Sequence, residues 1–391
     1  MNQSYFKISF LKSLLYRCFE KIEEMLNIGL FYCILKHSPR NHDKQRVLII
    51  KLDHIGDFVL FSSSLKAYRE LFPKSILTLL VQDCVFNLAE TCPYVDEVWQ
   101  INQRTFRRNP VNHWSWLKRI HNAKFNICIN AVCAVSERYM ECLVGVSKAN
   151  RRIGFACEGR GVKWGRPYYT ELVPDVSEGL FEMDKHALML RYLGYLQNIS
   201  REPEVWITNE DRATARQLLS HLSCEPYGII FPGSRHSTKI WPVEKFSQVI
   251  QLTQKNVPLH WIICGSFNEY GICNTLESDL INHGIPCSNL SGRTSLREFS
   301  AITEHASLYL GNDTMAVHLA AAYRVPAVCI LGGGHYGRFY PYPDNQFTTA
   351  VINALDCFNC KWECKFETPE CISGITIDQV VNNIINAFGM K

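Results

Sequence analysis

The chain reads as an α/β protein made of two doubly wound domains that face a central cleft. Three observations lead there. Short β-rich apolar runs alternate with helical patterns from Arg46 onward, and the alternation starts afresh near Tyr227. Polar turns directly after three of these runs carry the carboxylates, hydroxyls and cations that chemistry needs. Ligands of doubly wound sheets bind beyond the carboxyl ends of the strands, so two such sheets set face to face would enclose a cleft.

The length of 391 residues suffices for two cores, and 47% hydrophobic with 20% charged residues is a globular composition. Apolar runs stay short of the ~18 residues of a membrane span. The N-terminus does not read as a secretory signal. Lys7, Lys12, Arg17, Glu20 and Lys21 interrupt its apolar residues, and no small-residue cleavage site follows. Seventeen cysteines are scattered through strand-like and helix-like segments, which suits a reducing compartment and predicts a cytoplasmic protein.

Charge is unevenly spread. Residues 1–200 carry 27 Lys and Arg against 19 Asp and Glu, whereas residues 201–391 carry 14 against 18. A basic first half suggests an acidic partner: nucleic acid, an anionic membrane, or a phosphorylated or carboxylated substrate.

The first series has strand patterns at Val47–Leu52, Ile76–Val81, Glu97–Ile101, Phe125–Ala131 and Arg152–Phe155. Helical patterns at Phe58–Leu71, Trp114–His121 and Glu137–Val146 separate them. The second series places strands at Gly228–Phe231, Leu259–Cys264, Ser288–Leu290, Leu308–Leu310 and Ala327–Leu331. Its helices are expected at Val243–Thr253, Glu269–Asn282, Leu296–Glu304 and Thr314–Tyr323. Arg201-Glu202-Pro203-Glu204 breaks the pattern, so we expect domains over 46–200 and 201–391. Residues 1–45 stand apart as an amphipathic helical segment. Phe6, Phe10, Leu14, Phe19, Ile22, Leu26 and Leu30 mix there with basic residues, as in a helix lying in a membrane interface or one that covers a core.

Three turns hold the candidate chemistry. In Lys51-Leu52-Asp53-His54-Ile55-Gly56-Asp57, a strand ends, Gly56 permits a tight turn and Asp57 opens a helix. Asp57 fits an N-cap, and it equally fits a general base at the carboxyl end of the first strand. The run lacks both the P-loop and the dinucleotide fingerprint. The second turn is Phe231-Pro232-Gly233-Ser234-Arg235-His236-Ser237-Thr238-Lys239-Ile240-Trp241-Pro242, an open loop with hydroxyls and a mobile lysine suited to a leaving diphosphate. The third is Gly311-Asn312-Asp313-Thr314-Met315, where Asp313 or Thr314 caps a helix whose free N–H groups attract phosphate. His318 lies on the first turns of that helix.

Leu48–Pro73, Phe231–Phe246 and Ser291–Pro343 together resemble the signature regions of glycosyltransferase family 9, the lipopolysaccharide heptosyltransferases. The resemblance implies a GT-B fold of two Rossmann-like domains, an inverting transfer and no catalytic metal. It implies that Asp57 deprotonates an acceptor hydroxyl and that Lys239, with Ser234 or Thr238, stabilises the departing diphosphate. Asp313 would position the donor sugar, with Thr314 and His318 facing the phosphates. Met315 stands where family members often carry a small residue, and Leu331-Gly332-Gly333-Gly334-His335-Tyr336-Gly337-Arg338 replaces a more usual F-G-P-T run. Both departures bear on which sugar is transferred. ADP-heptose is the expected donor.

Basic residues of the first half, Arg107, Arg108 and Arg151 among them, suit an anionic lipid-linked saccharide acceptor at an inner-membrane surface. Nucleic acid competes as a partner, but no recognition module for it is present, and none is expected to bind. Cys357, Cys360, Cys364 and Cys371 could close a structural zinc site; packed free thiols or a local disulfide are the alternatives. Other functions open to such a chain are a nucleotide-sugar epimerase or hydrolase, and a non-catalytic nucleotide-sugar or glycan-binding protein.

Overall fold

A computed structural model of the chain describes residues 44–132, 138–156, 168–174, 176–177, 179–222, 225–343 and 345–389. Residues 1–43 of the N-terminal amphipathic segment, with its expected membrane contact, lie outside them, as do three further basic residues of the first half, Arg160, Lys163 and Arg166. None of the described helices is long and apolar enough to cross a membrane.

The first sheet contains β1 (Arg46–Lys51), β2 (Ile76–Gln82), β3 (Glu97–Ile101), β4 (Ile127–Asn130), β5 (Arg151–Phe155) and β6 (Glu171–Val173). All pairs are parallel, in the order β3-β2-β1-β4-β5-β6. The second sheet contains β7 (Tyr227–Phe231), β8 (His260–Ile263), β9 (Cys287–Asn289), β10 (Leu308–Asn312), β11 (Ala327–Ile330) and β12 (Thr348–Val351). It repeats the topology as β12-β11-β10-β7-β8-β9, again parallel throughout. Parallel sheets need cover on both faces, which is why β1 reads as the unbroken apolar run Val47-Leu48-Ile49-Ile50, all fully buried.

The cover comes from helices between the strands. In the first half these are α1 (Ile55–Ser62), α2 (Leu65–Leu71), α3 (Asp83–Ala89), α4 (Gln103–Arg108), α5 (Pro110–Asn122), α6 (Arg138–Val146) and α7 (Glu182–Tyr192). In the second half they are α8 (Asn209–Leu218), α9 (Val243–Thr253), α10 (Tyr270–Asn282), α11 (Leu296–Glu304), α12 (Met315–Ala322), α13 (Glu370–Ser373) and α14 (Ile377–Gly389). Each sheet has an outer core of its own. Phe106, Leu117 and Leu143 pack behind the first, and Phe246, Leu276 and Ile384 behind the second. The inner faces share one continuous core, in which Phe58 and Phe61 of α1 join Val317 and Leu319 of α12. The two halves are thereby welded with their carboxyl edges turned toward a common space.

Several expectations need adjusting. The single helix expected over Phe58–Leu71 is two. Ser62, Ser63 and Ser64 turn their hydroxyls back onto the carbonyls of Val59, Leu60 and Phe61 at 2.6, 3.0 and 2.7 Å, and α1 ends there. Gly56 is not a turn residue but lies inside α1. The short edge strands β6 and β12, and helices α3, α4, α7, α8, α13 and α14, were not anticipated.

Asn312 is the buried polar pin of the second sheet. Its Nδ2 donates to the Pro232 carbonyl at 2.7 Å, and its Oδ1 accepts from the Trp241 N–H at 3.1 Å. One side chain at the end of β10 thus fixes the loop leaving β7. Asn312→Ala strands both backbone groups and should cost about 2–4 kcal/mol in urea unfolding; a loss below about 0.5 kcal/mol would contradict this role.

Candidate active site

Strand order reverses between β1 and β4 in one sheet and between β7 and β10 in the other. Loops leaving such switch points diverge and open a crevice. Both crevices give onto one cavity of about 960 Å³, a volume that suits a nucleotide sugar. Its walls bring together Asp57 from the first half with Ser234, Lys239, Asp313, Thr314, Met315 and His318 from the second.

On the first wall, β1 passes directly into α1, whose N-cap is His54. Asp57 therefore sits in the first helical turn instead of capping it. Burial and the neighbouring Asp53 carboxylate push its carboxyl up to about 7, with Glu182 adding to the rise and Lys51 and Arg338 opposing it. Behind it lies a buried charged cluster. The Lys51 ammonium is fully buried, 2.6 Å from Asp53 and 3.3 Å from His186 Nε2. Glu182 pairs with Lys185 at 3.1 Å and with Arg338, from the loop after β11, at 3.4 Å. Burial alone would raise Glu182, but Lys51, Lys185, His186 and Arg338 outweigh it and hold it down at about 2. The Glu182 N–H also donates to the Arg338 carbonyl at 2.8 Å, so the two halves are tied directly where Glu182 and Arg338 act on Asp57.

Gly56 explains how close the halves come. A side chain there would meet His318 Cδ2 at 3.2 Å and the Met315 backbone at 3.7 Å, so the starts of α1 and α12 abut. His318 is buried, bonded through Nδ1 to the Tyr342 hydroxyl at 2.9 Å, and lowered by burial to about 4. It is neutral at ordinary pH and supplies shape, not positive charge. Farther out, Arg235 Nη1 reaches His54 Nε2 at 2.9 Å across the mouth.

On the second wall, Thr314 is the N-cap of α12, its hydroxyl accepting from the Ala316 N–H at 3.3 Å. The Lys239 ammonium pairs with Asp313 at 2.6 Å, and the Trp362 ring centroid lies 5.1 Å from the same nitrogen. This cation, the helix start and the hydroxyl offer an anion a positive corner of the cavity that Asp57 also lines. Glu269, which the sequence reading passed over, completes the far end of the cavity. Its Oε2 accepts from the Ser266 N–H at 2.7 Å, and only the bare Gly233 leaves room for its Oε1. The signal was a Ser266-x-x-Glu269 capping box directly after β8. Trp362, His335 and Phe339 were missed too: Trp362 arrives from beyond the third signature, and His335 and Phe339 lie inside its span, on the loop after β11, where no local pattern marks them as cavity residues.

Other expected site residues lie elsewhere. Thr238 is adjacent to the cavity in sequence but not on its wall. Arg107 and Arg108 are exposed on the last turn of α4, outside the cavity. Arg151 opens β5 at the amino-terminal edge of the sheet and is held by a bidentate pair to Glu171, at 2.8 and 2.8 Å. Cys357, Cys360, Cys364 and Cys371 are free thiols, and the first three raise the pKa of Cys371 after burial. Among the described residues, however, no three His, Cys, Asp or Glu side chains close around a point as a metal ion requires.

Comparison with known proteins agrees with this architecture. The model of glycosyltransferase family 9 (heptosyltransferase) matches residues 114–368. The chain is 24% identical over 307 residues to lipopolysaccharide heptosyltransferase 3 of Escherichia coli K12, covering 74% of this chain and 83% of that one. A family 9 glycosyltransferase from Veillonella parvula superposes with a TM-score of 0.73 at 18% identity, over 89% of this chain and 98% of its own. The E. coli heptosyltransferase WaaC, solved with ADP-2-deoxy-2-fluoro heptose, does so with a TM-score of 0.60 at 17% identity, over 88% and 98%. The shared architecture is the GT-B fold.

Because the folded state raises the Asp57 carboxyl from 3.8 to about 7, it holds that proton more tightly than the unfolded chain does. The stability this contributes is complete below about pH 4 and is lost as pH rises toward 7. Asp57→Asn should therefore unfold at higher urea than the parent at pH 8, with the advantage shrinking as pH falls toward 4. Equal midpoints at pH 8 would contradict the raised pKa.

Proposed function

Since the chain belongs to glycosyltransferase family 9, the heptosyltransferase family, we propose that it moves heptose from ADP-heptose to a hydroxyl of a lipopolysaccharide core or related surface glycan. The transfer inverts the anomeric carbon and uses no catalytic metal. One observation carries this reading: Asp57, with its carboxyl near 7, lines the same cavity as the Lys239–Asp313 pair and the start of α12.

In the proposed step, ionised Asp57 takes the proton of the acceptor hydroxyl as its oxygen attacks the anomeric carbon from the face opposite the diphosphate. The bond from that carbon to the phosphate oxygen breaks, and the electron pair leaves with ADP. Negative charge developing there falls to Lys239, the Thr314 hydroxyl and the α12 amides, which are fixed before reaction begins. A general base with a pKa near 7 combines a useful ionised fraction with real basicity. Positioning and fixed charge suffice for the chemistry, so a metal has no step to perform.

The order of strands suggests how the donor lies. Glu269 and Ser266, after β8, suit the ribose hydroxyls, and Lys239 and Thr314, after β7 and β10, suit the diphosphate. The heptose then falls toward β11, where Asp57 faces it. ADP-heptose as donor is supported by the ADP-heptose analogue bound in WaaC. Arg107 and Arg108, exposed on α4, offer charge to an anionic lipid-linked acceptor brought to a cytoplasmic membrane surface.

Asp57→Asn should lower transfer about 10²–10⁴-fold while ADP-heptose affinity stays within about two-fold. Normal transfer by this variant would overturn the mechanism. In the parent enzyme kcat/KM should lose activity on an acid limb centred near pH 7. A thermal-shift screen of ADP-heptose against UDP-, GDP- and dTDP-sugars checks the donor. Stabilisation by ADP-heptose alone is expected, and donor consumption without acceptor would point instead to a hydrolase or epimerase.

A further inference from the structure

The Cys-rich tail reaches the cavity through one residue. Trp362 lies on its wall, and its ring covers the Lys239 ammonium at 5.1 Å from the centroid. An elaborate support holds it there. The Asn359 and Lys361 N–H groups donate to the carbonyls of Gly333 and Gly334 at 2.6 and 2.9 Å. A side chain on Gly334 would meet Trp362 Cε2 at 2.2 Å, and one on Gly332 would meet the same ring at 2.8 Å. Gly333 is bare for Phe358, which would lie 2.3 Å from a side chain there. The triple glycine is thus the seat on which the Phe358–Trp362 segment rests. Asn359, Lys361 and Trp362 also take left-handed backbone angles, with φ of 65°, 56° and 64°. A bulky residue is rarely found there, and such conformations persist where the surroundings over-determine them.

We propose that Trp362 is the platform for the transferred sugar and a determinant of which sugar is accepted. The inference rests on the donor reading given above. Along the carboxyl edge of the second sheet, Glu269 marks the β8 side and Lys239 with Thr314 the centre. Trp362 comes in over the loops that follow β11 and β12, beyond the diphosphate position and on the side where Arg338 approaches Asp57. An indole face beside a carboxylate is a common way to hold a pyranose: C–H groups lie on the ring while Asp313 takes hydroxyls.

The test compares ADP with ADP-heptose by calorimetry, together with steady-state transfer, for the parent and three variants. Trp362→Leu should weaken ADP-heptose at least ten-fold while ADP affinity stays within about two-fold, and Trp362→Phe should restore most of the loss. Gly334→Ala, which keeps the indole but displaces it, should show the same sugar-selective defect even if Trp362→Leu fails to fold. Equal weakening of ADP and ADP-heptose would overturn the proposal and leave Trp362 as a support for Lys239; unchanged binding of both would overturn it outright. If the parent binds neither ligand, the donor reading itself fails, and the platform with it.

Discussion

The close approach of two helix starts at Gly56 is the constraint on which the site depends. Each helix leaves the switch point of its own sheet, and each points its positive end into the same cavity. Asp57 on one and Thr314 on the other reach the same cavity because the helices come this close. A Cβ on α1 at this point would lie 3.2 Å from His318 Cδ2, so anything larger than hydrogen presses the two helices apart by a few tenths of an ångström or more. The shared inner core, from Phe58 and Phe61 to Val317 and Leu319, then locks the approach with apolar burial.

Charge balance follows from this geometry. Two helix starts, Lys239 and Arg235 concentrate positive potential in one place, and Asp57 and Asp313 answer it. A diphosphate would compete with Asp313 for Lys239, which leaves the carboxylate available to sugar hydroxyls. Behind Asp57, Lys51, Asp53, Glu182, Lys185 and Arg338 are held together at a desolvation cost that hydrophobic residues would avoid. Burial and Asp53 push the Asp57 carboxyl up, and within the cluster Glu182 adds to the rise while Lys51 and Arg338 oppose it, which leaves it at about 7.

Much of this was legible in the chain. Unbroken apolar runs such as Val47–Ile50 announce buried parallel strands, and the polar turns after β1, β7 and β10 announce the switch points. Local patterns also singled out Lys239, Asp313 and Thr314, which line one cavity. What stayed hidden depends on contacts between distant segments. Gly56 looked like a turn residue because His318, its actual reason, lies 262 positions away. Gly332–Gly334 looked like an odd loop because the aromatic rings seated on it come later in the tail. Arg151 looked like an acceptor residue because charge in sequence says nothing of which edge of a sheet it occupies, nor of Glu171 waiting beside it. Glu182 and Arg338 carry no local motif at all; only folding makes them neighbours of Asp57.

The most direct test of the account is the turnover of Gly56→Leu at saturating ADP-heptose and acceptor. A leucine at this point wedges α1 away from α12 and displaces the base from the anomeric carbon by about an ångström or more, so turnover should fall about 10²-fold. Turnover equal to that of the parent would contradict the claim that contact between the two helix starts assembles the site.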